Sequence, residues 1–328
     1  MRHSVRVEFG TRVWSSPAWR GKAVSWLDRR LAEAGIARTG PVAQPRTRPW
    51  STVLTAPTSA GPVWFKATRP ETGFEVALYA VLRDLAPDRV LPPIAADADR
   101  GWLLLPDGGP ALADNAALIE FLPLYGRLQR DLAPHVGRLL AAGVADMRPA
   151  VLPTRFAEAV ALVGDVPDRV AAMADTVAKW CARLAASPVP ASIDHQDPHR
   201  GNVFRDGRFL DWGDSVVAHP FTTMLAVLGR MSRVDQATVL RARDAYLEPF
   251  TDLAAHRDLV ADLELACRLG KIVRVFTWQR AIAGEPTEFA DQPRVNLVAV
   301  ANPSYLLAAM AASSGAANSG RQISRSGR

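Results

Sequence analysis

The chain has 328 residues, of which 48% are hydrophobic and 22% charged, and this composition excludes wholesale disorder. No apolar run reaches the roughly 18 residues of a membrane span, and the first residues lack the apolar core of a signal peptide. Cys181 and Cys267 match no metal or redox spacing, so a disulfide framework is not expected. These features predict a cytoplasmic protein without membrane contact, long enough for one large two-lobed domain.

The net charge of +6 is unevenly distributed. Residues 1–149 carry 19 basic and 14 acidic side chains, whereas residues 150–312 carry 17 and 19. A basic N-terminal half favours an anionic ligand such as a nucleotide, although a bland positive surface would look the same. No basic stripe is interleaved with aromatic residues, so we expect no nucleic-acid partner. The sequence does not indicate an oligomeric state.

The N-terminal third begins with a predicted helix and continues with short strands. Ser16 and Pro17 resemble an N-cap and first turn, and an apolar stripe follows as far as Ala34. From residue 40 onward, short apolar runs alternate with turn residues, with one helical segment at 71–85 and a buried strand at 102–105. We therefore predict a helical extension over residues 1–39 and a small, mainly antiparallel α+β lobe over residues 40–107.

The rest of the chain is mostly helical in pattern. The predicted helices cover residues 114–142, 155–186, 221–229, 235–250 and 257–282, with one β-like interruption at 191–211. Residues 108–312 are predicted to form a helical lobe. Residues 313–328 have one apolar side chain larger than alanine and are predicted to be a disordered tail.

Residues 194–214 contain the most informative pattern. Val203-Phe204 and Phe209-Leu210 flank a glycine-containing turn and predict a hairpin. The hairpin would bring the loop carrying Asp197 and Asn202 next to Asp211. Oxygen ligands of this kind suit Mg²⁺, and phosphoryl transfer requires a carboxylate to accept from the attacking hydroxyl. Asp197 is the predicted base, and Asn202 and Asp211 are the predicted metal ligands.

Two other interpretations of these residues are less favourable. His195 and His199 have the spacing of a helical zinc pair, but the intervening Pro198 argues against a helix. Single aspartates in loops are commonly turn formers. The order of the whole segment favours the catalytic interpretation over either.

The segment 195–202 reads His-Gln-Asp-Pro-His-Arg-Gly-Asn and resembles the His-Gly-Asp-Leu-His-Pro-Gly-Asn motif of the aminoglycoside phosphotransferase family. Gln196 replaces the first glycine of that motif, and Asp211-Trp212 matches the metal-binding pair of the family. The resemblance covers about residues 40–280 and implies a protein-kinase-like two-lobed fold that uses ATP and Mg²⁺. Within the catalytic site, His195 is expected to support the loop.

A kinase N-lobe also needs a lysine for the phosphates and an acidic partner on a helix. Lys66 ends an apolar strand, where a charged group is costly unless it is paired. Glu75 on the following helix is the favoured partner, and Glu71, one turn earlier, is the alternative. By resemblance, Lys66 and Glu75 occupy the positions of the family's pair.

The remaining nucleotide contacts are less clearly marked. The expected phosphate loop, residues 46–51, contains no glycine, so contacts are assigned to backbone amides near Ser51 and to the charge of Arg48. Residues 102–109 are expected to form the hinge that contacts the adenine edge. Pro106 has no N–H, which leaves Leu105 or Asp107 as the donor.

The substrate half departs from the family in two respects. His219 stands where the family has an aspartate, and it is expected to replace that residue's hydrogen bond to the catalytic loop. Acids and arginines are mixed along the late helices, so the sequence does not demand a polycationic substrate. Trp212, Phe276 and Trp278 are assigned to core packing, with a pocket wall as the alternative.

Together these features predict a phosphotransferase that moves the γ-phosphate of ATP to a hydroxyl of a small molecule, for which an aminoglycoside or another antibiotic is one candidate. A metabolic kinase of a sugar, amino sugar or amino alcohol is an alternative. A nucleotide-binding pseudokinase that serves as an interaction module is another. A protein kinase is disfavoured because no Asp-Phe-Gly or Ala-Pro-Glu segment is present.

Overall fold

The computed structural model describes residues 9–231, 235–282 and 285–302. The N-terminal lobe contains a five-stranded sheet with the order β1-β2-β3-β5-β4, in which every neighbouring pair is antiparallel. Its strands are β1 (Ala43–Thr47), β2 (Ser51–Ala56), β3 (Val63–Thr68), β4 (Ala95–Asp97) and β5 (Trp102–Pro106). This confirms the predicted small antiparallel lobe.

The alternation along β3 separates the two faces of this sheet. Val63, Phe65 and Ala67 are buried on one face, whereas Trp64 and Lys66 point to the other. Helix α3 (Phe74–Leu85) follows β3 and brings Glu75 to Lys66. The strand pattern therefore directs Lys66 toward the interior between the lobes.

The N-terminal extension forms α1 (Thr11–Trp14) and α2 (Pro17–Glu33), which cover the opposite face of the sheet. Ser16 caps α2 by accepting a hydrogen bond from the Trp19 amide at 3.2 Å, as its sequence predicts. The Trp26 ring lies 5.5 Å from that of Trp102 and 5.6 Å from that of Phe65. Large aromatic surfaces are buried here, so the extension belongs to the core of the N-terminal lobe.

The second lobe is built from helices and a small sheet. The sheet has the order β6-β8-β7 and contains β6 (Ala145–Asp146), β7 (Ser192–Asp194) and β8 (Val216–Ala218). The helices are α4 (Leu122–Leu132), α5 (Val136–Ala141), α6 (Leu152–Val163), α7 (Asp168–Ala171), α8 (Ala174–Ala185), α9 (Met224–Arg230), α10 (Gln236–Leu247), α11 (His256–Ile282) and α12 (Gln292–Ala299). None of the described helices is long and apolar enough to cross a membrane.

Two long predicted helices are interrupted. The segment 114–142 divides into α4 and α5 at a 3₁₀ turn that contains Pro134, whose ring prevents a regular α-helical bond. The segment 155–186 divides after α6 at Gly164, which has a φ of 74°. In both segments the apolar periodicity continues across the break. The sequence pattern therefore predicted one continuous helix in each.

The β-like interruption at 191–211 contains one strand, β7, and a tight turn. Val203 and Phe209 form a single antiparallel bridge, and the Phe204 amide donates to the Arg208 carbonyl at 3.0 Å. The predicted hairpin therefore exists without extended strands. Strand β8 and helix α12 were not predicted, and the predicted tail at 313–328 lies outside the described residues.

Candidate active site

The loop after β7 is held by His195, whose imidazole is fully buried. Its Nε2 atom lies 2.8 Å from the Leu210 carbonyl, and its Nδ1 atom accepts from the Asp197 amide at 3.4 Å. Since a carbonyl only accepts, Nε2 is the donor in its contact with Leu210. With both nitrogens occupied, His195 positions the backbone of Asp197.

Gln196 adopts a left-handed conformation with a φ of 65°, which explains why the resembling family has glycine at this position. A side chain in this region costs about 1 kcal/mol. The Gln196 amide donates to Asp194 Oδ1 at 2.8 Å, and its side-chain amide contacts Asp194 Oδ2. Arg274 also donates to the Gln196 carbonyl at 2.9 Å. These bonds hold the strained residue in place.

The hydrogen bond expected from His219 to the catalytic loop is absent from the described contacts. His219 Nδ1 instead accepts from the Phe221 amide at 3.3 Å within its own turn, and burial lowers the pKa of this histidine to about 3. The loop is tied to the same turn by Asp194, which accepts from Thr222 Oγ1 at 2.5 Å. A buried carboxylate before the loop therefore makes the link that His219 was expected to make.

The structure brings Asp197, Asn202 and Asp211 to one mouth between the lobes. Asn202 Nδ2 donates to the Asp197 carbonyl at 3.0 Å, and the Leu210 amide donates to the Asn202 carbonyl at 2.9 Å. The Val203–Phe209 bridge holds the two sides of the turn together. The convergence expected from the hairpin pattern is therefore present.

Lys66 connects this mouth to the N-terminal lobe. Its Nζ atom lies 2.9 Å from Glu75 Oε1 and 2.5 Å from Asp211 Oδ1. Glu71, the alternative partner, is 39% exposed and pairs with Arg69 at 3.4 Å instead. Lys66 thus pairs both with Glu75 on α3 and with Asp211, the predicted metal ligand.

The pKa values in this cluster reflect burial and charge together. Burial alone would lower the pKa of Lys66, but the carboxylates of Asp211 and Glu75 raise it above its ordinary value. Burial raises the pKa of Glu75 and outweighs the effect of Lys66. For Asp211 the charge of Lys66 prevails over burial and lowers the pKa to about 2. Asp211 is therefore ionised at neutral pH.

Asn202 and Asp211 form a donor set that suits a magnesium ion. Asp211 Oδ2 and Asn202 Oδ1 accept no hydrogen bond from the described residues, while Asp211 Oδ1 is held by Lys66. Magnesium commonly uses one or two protein oxygens together with phosphate oxygens and water. Within the described part of the chain, no three His, Cys, Asp or Glu side chains are grouped to bind a metal.

An apolar cavity of about 370 Å³ opens between the N-terminal lobe and the hinge. Leu105 and Asp107 both line it. The Asp107 amide already donates to the Pro62 carbonyl at 3.1 Å, so Asp107 is not free to donate its amide to a base. Its carboxylate accepts from Trp64 Nε1 at 3.0 Å. The other walls are formed by Pro45, Arg46, Val53, Phe65, Lys66, Glu75, Tyr79, Leu91, Pro106, Gly108, Gly109, Phe204, Leu210 and Asp211.

The turn between β1 and β2 closes one end of this region. The Arg48 amide donates to the Ser51 carbonyl at 2.8 Å, and Ser51 is buried beside a cavity that also contacts Lys66 and Asp211. Arg48 is exposed and lines none of the cavities described here, whereas Arg46 lines the apolar cavity. The charge of Arg46 also helps to lower the pKa of Asp211. The pairing of β1 with β2 shifts register between Ala43 and Arg46, and this irregularity has no clear signal in the sequence.

A second cavity, of about 290 Å³, lies on the far side of Asp197 and is here called the acceptor cavity. Arg230 at the end of α9 contacts Asp197 Oδ1, and His199 Nε2 lies 3.6 Å from Asp197 Oδ2. Trp278 lines the acceptor cavity and stacks on Phe289 with 5.3 Å between ring centroids, which fits the pocket-wall alternative. The remaining lining residues are Leu225, Ala226, Gly229, Lys271, Arg274, Gln292, Val295, Asn296 and Ala299.

The other two aromatic candidates have different surroundings. Trp212 is fully buried and packs on His195 with 4.7 Å between ring centroids, so it belongs to the core. Phe276 is partly buried against the same core. Arg230 and Arg274, by contrast, were not singled out as site residues. In sequence they look like ordinary charged positions of helices, and no local pattern marks them.

No protein-family model matches the chain, and no curated protein matches its sequence. Its fold is nevertheless similar to that of several solved structures. A macrolide 2'-phosphotransferase from Brachybacterium faecium has a TM-score of 0.55 and 18% identity, with 85% of this chain and 98% of that chain covered. An ethanolamine kinase from Plasmodium vivax has a TM-score of 0.62 and 9% identity, with 90% and 92% covered.

A third similar structure is the GDP complex of aminoglycoside 2'-phosphotransferase-IIIa, with a TM-score of 0.53, 11% identity, and 89% and 99% of the two chains covered. Identities this low establish the fold alone. They confirm the architecture predicted from the catalytic motif. The chain therefore has the two-lobed, protein-kinase-like fold shared by aminoglycoside and macrolide phosphotransferases and by ethanolamine kinases.

Proposed function

We propose that the protein is a phosphotransferase that moves the γ-phosphate of ATP to a hydroxyl of a small molecule with the help of Mg²⁺. The observation that carries this proposal is the continuous arrangement of Lys66, Asp211 and Asp197 between the apolar cavity and the acceptor cavity. A phosphoryl donor on one side and an acceptor on the other would meet at Asp197.

The apolar cavity suits the purine of a nucleotide. Its walls are largely aliphatic and aromatic, and its inner end carries the charged groups Lys66, Glu75 and Asp211. A nucleotide whose base occupies the apolar cavity would place its phosphates at that end. There Lys66 can exchange its contact with Asp211 for phosphate oxygens. Mg²⁺ bound by Asn202 and Asp211 would neutralise charge on the β- and γ-phosphates.

Asp197 is assigned as the residue that orients the acceptor hydroxyl and takes its proton. The hydroxyl oxygen forms a bond to the γ-phosphorus as the bond to the β,γ-bridging oxygen breaks, and ADP leaves with that electron pair. His195 keeps the Asp197 backbone in place but contacts neither reactant, so it acts as a positioning residue.

Two kinds of enzyme with this fold, a resistance enzyme and a metabolic kinase, are the candidates for the acceptor class. The similar structures include phosphotransferases of macrolides and aminoglycosides and a kinase of an amino alcohol. A resistance enzyme and a metabolic kinase would share the nucleotide side described above. ATP is preferred as the donor, and GTP is the alternative because one similar structure is a GDP complex.

A thermal-shift titration with ATP, with and without Mg²⁺, tests the nucleotide site. A ligand at 100 times its Kd adds about 2.7 kcal/mol of stability, which corresponds to a rise in Tm of a degree or more. Asp211→Ala should remove the Mg²⁺-dependent part of the rise. Asp206→Ala, in the exposed pair with Arg208, is the control and should leave it intact.

The outcomes separate the enzyme from its rivals. A Mg²⁺-dependent rise followed by ADP release with a hydroxylated acceptor supports the proposal. A rise without ADP release from any acceptor in a broad panel would favour a nucleotide-binding pseudokinase. The absence of a rise with both ATP and GTP would refute the nucleotide site itself.

A further inference from the structure

Basic side chains surround the candidate base on its acceptor side. Among the described residues that line the acceptor cavity, Asp197 is the one acid, whereas Arg230, Lys271 and Arg274 are basic. Lys271 is almost fully buried and donates to the Ala299 carbonyl at 2.8 Å. Arg230 and Arg274 are therefore the two basic groups best placed to meet a substrate.

Arg274 is fixed in place by its neighbours. It donates to the Gln196 carbonyl at 2.9 Å and lies over the Trp278 ring at 5.6 Å from its centroid. Asp211 and Asp214 line a smaller adjoining cavity together with Asp197, Arg230 and Arg274. Lys66 pairs with Asp211, and burial raises the pKa of Asp214 while the charges of Arg274 and Arg280 lower it. Neither of these two acids lines the acceptor cavity.

Arg230 occupies the place that a substrate hydroxyl needs. It contacts Asp197 Oδ1, while His199 faces Oδ2, so both oxygens of the candidate base have neighbours. An acceptor hydroxyl must take one of these places before it can donate to Asp197. The side chain of Arg230 is 40% exposed, so it can turn away from Asp197 into the acceptor cavity.

An arginine that leaves its carboxylate partner needs another anion nearby. A guanidinium removed from water is costly when it is unpaired, and it binds carboxylates and phosphates through two parallel hydrogen bonds. The acceptor cavity offers it no other described carboxylate. Within that cavity the ligand is the remaining source of negative charge. The proposed nucleotide phosphates would lie beside Lys66, in the smaller adjoining cavity that Arg230 also lines.

We propose that the acceptor carries an anionic group, a carboxylate or a phosphate ester, which binds Arg230 beside Arg274 while the acceptor hydroxyl takes the place of Arg230 on Asp197. This inference rests on the proposed function and adds the charge class of the substrate. In the free protein Arg230 holds Asp197, and an anionic acceptor releases it. A polycationic acceptor would meet the same arginines and be repelled.

The test compares hexoses that differ mainly in charge: glucuronate, glucose 6-phosphate, glucose and glucosamine. ADP release is measured at constant ionic strength for the wild type, Arg230→Gln, Arg230→Lys and the control Arg127→Gln. Arg127 is in an exposed pair with Glu248 and lines none of the cavities described above. The two anions distinguish a carboxylate site from a phosphate site.

We expect kcat/KM for at least one anion to exceed that for glucose by about tenfold or more, with glucosamine lowest, because a charged hydrogen bond contributes this much. Arg230→Gln should remove the advantage, Arg230→Lys should retain part of it, and Arg127→Gln should not change it. Equal or better use of glucose or glucosamine would overturn the proposal. An equal loss for all four sugars in Arg230→Gln would place Arg230 on the nucleotide and also overturn it.

A binding measurement covers the case in which none of the sugars is turned over. Thermal shifts are then recorded with a non-hydrolysable ATP analogue and Mg²⁺ present. A rise with either anion that is lost in Arg230→Gln supports the proposal, and no rise with either anion contradicts it. Failure of the proposed function is distinct, because the nucleotide analogue itself would then cause no shift.

Discussion

The nucleotide side and the acceptor side of the site are charged in opposite senses. On the nucleotide side, one cation, Lys66, lies between the carboxylates of Glu75 and Asp211. On the proposed acceptor side, the carboxylate of Asp197 contacts Arg230 and shares a cavity with Arg274. The excess of carboxylate favours a metal ion bound with a polyphosphate, and the excess of base favours an anion. The excess charge on each side therefore indicates a ligand of the opposite charge.

The largest effect is expected at Asp197, the proposed base on the acceptor side. Asp197→Asn keeps the shape of the side chain but cannot take a proton, so kcat should fall by about 10²–10⁴-fold while ATP·Mg²⁺ still raises Tm. Steady-state ADP release and the thermal shift measure the two properties separately. Asp206→Asn serves as the control in the neighbouring turn, and turnover near the wild-type rate in Asp197→Asn would remove Asp197 from its role.

A smaller effect is expected from the central cation of the nucleotide side. Lys66→Met leaves Glu75 and Asp211 close together without their partner, which should cost about 3 kcal/mol of unfolding free energy at pH 7. The loss should shrink at lower pH, because the pKa of Glu75 is already raised and its protonation relieves the repulsion. Urea unfolding measures the change. Lys22→Met, at an exposed position of α2, should alter stability little.

The smallest effect is expected from the buried His219. Burial lowers the pKa of His219 to about 3, so between pH 6.5 and 3 the unfolded chain binds a proton there that the folded protein does not. Stability therefore falls as the pH drops, and this histidine should account for about 2 kcal/mol between pH 7.5 and 5.

Urea unfolding of wild type and His219→Gln at the two pH values checks this contribution. The variant should lose about 2 kcal/mol less than the wild type over the interval, because glutamine does not titrate. His135→Gln, a partly exposed histidine outside the site, is the matched control. An identical pH dependence in His219→Gln and the wild type would show that another group causes the acid sensitivity.

The nucleotide side could be anticipated because its residues are close in the chain or follow one another in regular elements. Asp197, Asn202 and Asp211 lie on the two sides of a single turn, so a local hairpin pattern brings them together. Lys66 lies in β3 and Glu75 lies in the first turn of the α-helix that follows, and the structure pairs them at 2.9 Å. Local periodicity is sufficient for arrangements of this range.

The acceptor side could not be anticipated in the same way. Arg230 and Arg274 come from different helices, and the direction of each depends on how α9 and α11 pack against the catalytic loop. Arg46 in β1 lines the apolar cavity, whereas Arg48 lies in the turn after that strand. His219 was expected to support the catalytic loop, yet the buried Asp194 and Thr222 provide that support.

The sequence by itself indicated a small antiparallel lobe followed by a helical lobe, the turn between Val203 and Phe209, and the chain order of the proposed site residues. These features follow from apolar periodicity, turn chemistry and short chain separation. Tertiary structure alone decided the charge of the acceptor cavity and the pairing of Asp197 with Arg230. The physical reason is that side chains far apart in the chain meet only through packing of whole helices, and no local pattern encodes which charges will share a cavity.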